Sequence, residues 1–113
     1  MSDQSRPRIV VLCGSTRFPA DYEAARRQET LAGRIVLDTG GVYGHCEGMD
    51  MDGPLKAMLD ELHIAKIDLA DEILILNRGG YIGDQTRREI AYARGQGKTV
   101  RFRDAALSDA ERR

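Results

Sequence analysis

Residues 8–13 read RIVVLC and residues 72–77 read EILILN, two short runs whose inner positions are all apolar and at least half β-branched. A strand with one wet face alternates apolar and polar residues, whereas an unbroken apolar run marks a strand covered on both faces. Strands of that kind belong to parallel sheets whose crossover helices pack on either side. The rest of the chain supplies those crossovers. Residues 19–32 repeat Tyr22, Ala25, Glu29 and Ala32 at helical spacing, and Gly33 ends the pattern. Residues 35–37 form a brief second apolar run. Pro54 stands where a helix's first turn accepts it, followed by an apolar stripe of Leu55, Met58, Leu59, Leu62, Ala65, Ile67 and Leu69. Asp84 or Thr86 caps a third helix reaching about Gln96, and residues 99–102 make a fourth strand.

The order strand, helix, strand, helix, strand, helix, strand predicts an α/β three-layer sandwich of the flavodoxin/Rossmann-like kind with a small parallel sheet of four or five strands. At 113 residues this is a single domain, with residues 1–7 and 104–113 at its periphery. Hydrophobic residues at 42% and charged residues at 31% are enough for a core without staples. A net charge of -1 gives no general attraction to nucleic acid or to an anionic membrane. No apolar run reaches the ~20 residues that span a bilayer, and Cys13 and Cys46 form no CxxC pair. The expected compartment is the cytoplasm. Arginines outnumber lysines fourteen to three, which suits phosphate contacts and equally suits solvated helix faces.

In sheets of this class ligands bind outside the carboxyl ends of the strands. Three loops fall there, 14–17, 39–53 and 78–84, and they are the glycine-richest parts of the chain. Gly14, Ser15, Thr16 and Arg17 offer close backbone approach, two hydroxyls and a guanidinium; they read as a sugar or phosphate wall, or as a turn whose hydroxyls cap the next helix. GxGxxG is absent although Asp38 sits where a ribose-binding acid would, so no dinucleotide cofactor is expected. The 39–53 loop has the length of a lid, and its Tyr43 is placed to stack on a base. His45, Cys46 and Asp50 match no standard zinc spacing, and no metal is expected there. Gly83, Asp84 and Thr86 lead into Glu89, which reads in two ways. It is a carboxylate facing the cleft, or the last member of a capping box that begins at Thr86.

Three blocks, Cys13-Gly14-Ser15-Thr16-Arg17, Asp68 to Ile73, and Thr86-Arg87-Arg88-Glu89-Ile90-Ala91-Tyr92-Ala93 with the later Gln96-Gly97-Lys98, resemble the nucleoside 2-deoxyribosyltransferase superfamily. That group includes the 2'-deoxynucleoside 5'-phosphate N-hydrolases, and the resemblance spans about residues 8 to 102. It implies Glu89 as a nucleophile at the sugar C1' and Gly14 to Arg17 as the sugar or 5'-phosphate wall. It also implies a nucleoside or nucleotide as the small-molecule partner, no cofactor, and a homo-oligomer. An aspartate of the family, eight residues ahead of the one matched by Asp71, is His63 here. His63 is thus the second catalytic candidate, as proton donor to the leaving base. The alternative implied by that replacement is a non-catalytic nucleotide-binding or sensor module with the same cleft.

Overall fold

A computed structural model of the chain describes residues 6–42 and 53–104. Four strands, β1 (Ile9–Gly14), β2 (Ile35–Leu37), β3 (Glu72–Leu76) and β4 (Thr99–Phe102), alternate with three helices, α1 (Pro19–Leu31), α2 (Pro54–Leu69) and α3 (Asp84–Gly95). All strand pairs are parallel, in the order β2-β1-β3-β4. The molecule is therefore the expected small α/β sandwich, and its strand order reverses between β1 and β3. Among the described residues no helix is long and apolar enough to cross a membrane.

The unbroken apolar runs serve both faces. From β1 and β3, Val11, Cys13, Ile73 and Ile75 pack with Ile67 of α2 and Ile90 and Ala93 of α3. The intervening Val10, Leu12, Leu74 and Leu76 pack on the other face with Tyr22 and Ala25 of α1. Each buried Val, Leu or Ile side chain among them contributes about 1.5–3 kcal/mol. Every residue of β3 is buried, as its composition demands.

Glycine is required at one strand end. A Cβ on Gly14 would stand 2.8 Å from the Leu76 carbonyl oxygen and 3.0 Å from the Leu76 Cβ. Gly14 and Leu76 are register partners, so this close approach fixes the separation of β1 and β3 where the strand order reverses.

A network of ion pairs lies at the opposite, N-terminal ends of the strands. Glu72 is paired with Arg8 and Arg101, both at 2.6 Å. Glu29 of α1 is paired with Arg101 and, at 3.5 Å, with Arg34. The Ile9 N–H donates to Asp71 at 2.7 Å, and Arg6 grips the same carboxylate at 3.0 Å. Here too lie the motif blocks outside the loops. The Tyr92 hydroxyl donates to Asp68, and Lys98 donates to the Asp68 and Ala70 carbonyls at the end of α2. A cation at a helix C-terminus complements its dipole, so these positions hold the frame together.

Two expectations change. The stripe on α2 is less buried than its periodicity implies: Ile67 is wholly enclosed, whereas Met58, Leu62, Ala65 and Leu69 are exposed. A four-stranded sheet with α3 beside α2 offers too little surface to cover the whole stripe. On α1, Tyr22, Ala25 and Glu29 are buried while Ala32, beyond the helix end, is exposed.

Candidate functional site

A cleft of about 370 Å³ opens at the C-terminal ends of β1 and β3. One wall is the turn after β1, with Gly14, Ser15 and Thr16; the other is the start of α3, with Gly83, Asp84 and Thr86. His63 of α2 and Glu89 of α3 line it as well. Eight residues chosen from the sequence thus meet in one cavity. Arg17 is not among its lining residues: the guanidinium lies 5.0 Å from the Tyr81 ring and donates to its neighbour Ser15. Tyr43, with His45, Cys46 and Asp50, falls outside the described residues. Asp38, in the position of a ribose-binding acid, is engaged by Arg26 at 2.7 Å and by the Gly40 N–H at 2.8 Å.

The local readings of the two walls are also revised. Helix α1 has Phe18 at its N-cap and no side-chain cap bond, so neither Ser15 nor Thr16 caps it. Ser15 Oγ instead accepts the Arg17 N–H in a tight turn. On the other wall, α3 starts two residues before Thr86, capped by Gly83 without a side-chain bond. Thr86 is therefore inside the helix and Glu89 lies in its second turn. The capping box does not form, because Glu89 is too far along the helix to reach the first N–H groups.

Outside the cleft, an ion pair ties α1 to the segment after β3. Arg78, in a 3-10 turn of residues 78–80 after β3, pairs with Asp21 through contacts of 2.9 and 2.7 Å. The same guanidinium lies 4.5 Å from the Phe18 ring. Hydrogen bonding to Arg78 holds Asp21 below its ordinary carboxylate value.

At the floor, Glu89 is 7% exposed. Gln85 donates to its Oε2 at 3.2 Å, His63 Nε2 stands 3.7 Å from its Oε1, and Cys13 Sγ stands 3.3 Å from that same His63 nitrogen. No lysine or arginine pairs with Glu89 among the described residues. Burial pushes the Glu89 carboxyl up, and hydrogen bonds from Gln85 and Cys13 draw it only partly back. Burial, helped by repulsion from Lys66, pushes His63 down to about 4. Burial, with the nearby charge of Glu89, pushes the Cys13 thiol well up. All three shifts oppose charge, as desolvation requires.

Sequence reasoning did not choose Cys13, Thr39, Lys56, Asp60, Lys66, Tyr81 or Gln85. Cys13 had a usable signal, since alternation along β1 puts it on the same face as Val11, toward α2 and α3. Lys56, Asp60, His63 and Lys66 recur at helical spacing on α2, a polar stripe that reads equally well as a solvated face; Lys56 and Asp60 pair at 2.8 Å. Thr39 Oγ1 lines the cleft buried and without a hydrogen-bond partner among the described residues. No family model and no curated protein sequence matches the chain.

Proposed function

We propose that the chain cleaves the N-glycosidic bond of a nucleoside or nucleotide, as a hydrolase or transferase, with Glu89 as nucleophile at the (deoxy)ribose C1'. The observation that carries this reading is a contrast among buried glutamates. Glu29 and Glu72 are neutralised by arginines at the far end of the sheet. Glu89 has no such partner among the described residues and lines the cleft. Keeping a carboxylate desolvated and unpaired destabilises a protein, and such groups gather where charge is used.

In the reaction, a Glu89 oxygen attacks C1' as the base departs with the bonding pair. The resulting glycosyl ester is then broken by water, or by a second base in a transfer. The departing nitrogen takes a proton from solvent water, and the water or second base that breaks the ester gives one up in turn. Gly14, Ser15 and Thr16 suit the sugar or its 5'-phosphate, and Thr39 supplies a further hydroxyl. Because burial keeps His63 neutral above about 4, it stands at neutral pH as an uncharged imidazole 3.7 Å from Glu89.

The test is a panel of deoxynucleosides and their monophosphates, with released base followed by chromatography. Wild-type protein should release base, and Glu89→Gln should lower the rate at least ~100-fold, the scale on which removal of essential catalytic groups is felt. No base from any substrate, or equal rates for the variant, would sink the proposal. The neutral state of His63 favours a second reading, a nucleotide-binding module without turnover, since the leaving base then has no imidazolium donor. That reading predicts thermal stabilisation by a nucleotide with no product. Ligand at 100 times Kd should add ~2.7 kcal/mol.

A further inference from the structure

Glycosidic chemistry employs Glu89 and, at most, His63, and leaves Cys13 without a part. Yet the thiol, imidazole and carboxylate converge on one point. Cys13 Sγ to His63 Nε2 is 3.3 Å, His63 Nε2 to Glu89 Oε1 is 3.7 Å, and one donor atom from each lies within 4.8 Å of the others. Zinc binds sulfur at about 2.3 Å and nitrogen or oxygen at about 2.0–2.2 Å, so tetrahedral ligand atoms stand about 3.3–3.6 Å apart. The first spacing falls within that range, the second lies about 0.1 Å beyond it, and the third is at most 4.8 Å. A single ion fits between them with small side-chain adjustments.

The donor set also selects the ion. Thiolate with imidazole and carboxylate suits zinc and its first-row neighbours, whereas magnesium and calcium ask for oxygen donors throughout. The three side chains come from β1, α2 and α3, so the sheet and both helices fix their relative positions. Gln85 holds Glu89 Oε2, leaving Oε1 on the His63 side, which is how an outer hydrogen bond orients a ligating carboxylate. His63 and Glu89 line the cleft while Cys13 lies beneath them, fully buried. Three protein donors therefore face an open fourth position. The metal reading invited by the sequence concerned His45, Cys46 and Asp50, a different set.

We propose that Cys13 Sγ, His63 Nε2 and Glu89 Oε1 bind one divalent ion of the zinc class, with the fourth coordination position open to the cleft. The thiol proton passes to solvent on binding. The site stands independently of the glycosidic reading. Where that reading holds, the ion withdraws the Glu89 electron pair from C1' and zinc is an inhibitor.

The test is a titration of the metal-stripped full chain with cobalt(II), followed by absorption spectroscopy, then displacement by zinc. One equivalent of cobalt should bring up a thiolate-to-metal charge-transfer band, and zinc should abolish it. Cys13→Ser should remove the band. Glu89→Gln, which leaves the strand core untouched, should weaken zinc binding at least tenfold against a chelating dye. The His45→Gln, Cys46→Ser double variant should bind as wild type. No band in folded wild-type protein overturns the proposal. So does a band that survives Cys13→Ser, zinc affinity unchanged in Glu89→Gln, or binding lost in the double variant. The band is read without substrate, so a protein that releases no base can still bind the ion, and an active one can still fail to.

Discussion

Gly14 shows how much one position decides. Its missing side chain lets β1 and β3 close to their observed separation beside the cleft, and its carbonyl accepts the Tyr22 hydroxyl at 2.7 Å. In Gly14→Ala the new methyl would meet the Leu76 backbone, which cannot swing aside as a flexible side chain can. Overpacking of this kind costs about 1–3 kcal/mol. A melting temperature lower by roughly 10 °C is expected for a domain of this size. An unchanged melting temperature in scanning calorimetry would mean that the strand ends have slack. The need for glycine here was half legible: the sequence marks a turn after an apolar run, but the neighbour that excludes a side chain is 62 residues away. The meeting of Cys13, His63 and Glu89 was hidden for the same reason. Chain spacing assigns each a face, while contact across 50 and 26 residues depends on how two helices sit on the sheet.

Among the elements, β1 and β3 could be read nearly to the residue, because a strand buried on both faces leaves no ambiguity of period. Helix ends were less legible. Thr86 with Glu89 has the pattern of a capping box, yet the backbone turns helical at Asp84 because Gly83 already supplies the cap. That shift of two residues turns a capping glutamate into the floor of the cleft. Helix α2 gives the clearest division between periodicity and burial. Ile67 is 0% exposed and Leu69 is 69% exposed, although both belong to one apolar stripe. Ile67→Ala should therefore cost about 2–5 kcal/mol, and Leu69→Ala within ~0.5 kcal/mol. Urea unfolding of the two variants measures this directly. Comparable losses would show that the outer face of α2 is covered in solution.

For the molecule as a whole, the paired acids at the N-terminal end of the sheet and Glu89 in the cleft are shifted in opposite directions, and stability should report it. At the N-terminal end, hydrogen bonds from Arg6 and from the Ile9 N–H hold Asp71 below its ordinary value of 3.8. Burial alone would raise Glu72, but its bonds to Arg8 and Arg101 outweigh that and leave it below 4.5. These carboxylates stabilise the fold fully above their ordinary values, and the contribution disappears as pH falls through the lower folded values. His63 adds an earlier loss. The unfolded chain takes up its proton near 6.5 and the folded chain only near 4, so stability declines as pH drops between those values. Glu89 has the reverse sign. Its folded value lies above 4.5, so the folded state binds the extra proton, and stability is lost as pH rises from 4.5 through that raised value. Above that raised value the ionised Glu89 weakens the fold, as functional groups commonly do. Glu72→Gln should lower the melting temperature at pH 7, by the equivalent of ~1–2 kcal/mol given arginines that are partly exposed. Glu89→Gln should raise it, and the gain should shrink as pH falls toward 4.5, where the wild-type carboxyl is increasingly protonated in both states. Melting curves of both variants between pH 4 and pH 8 decide the matter. If Glu89→Gln loses stability as Glu72→Gln does, Glu89 is a structural acid and the cleft has no group held ready for chemistry.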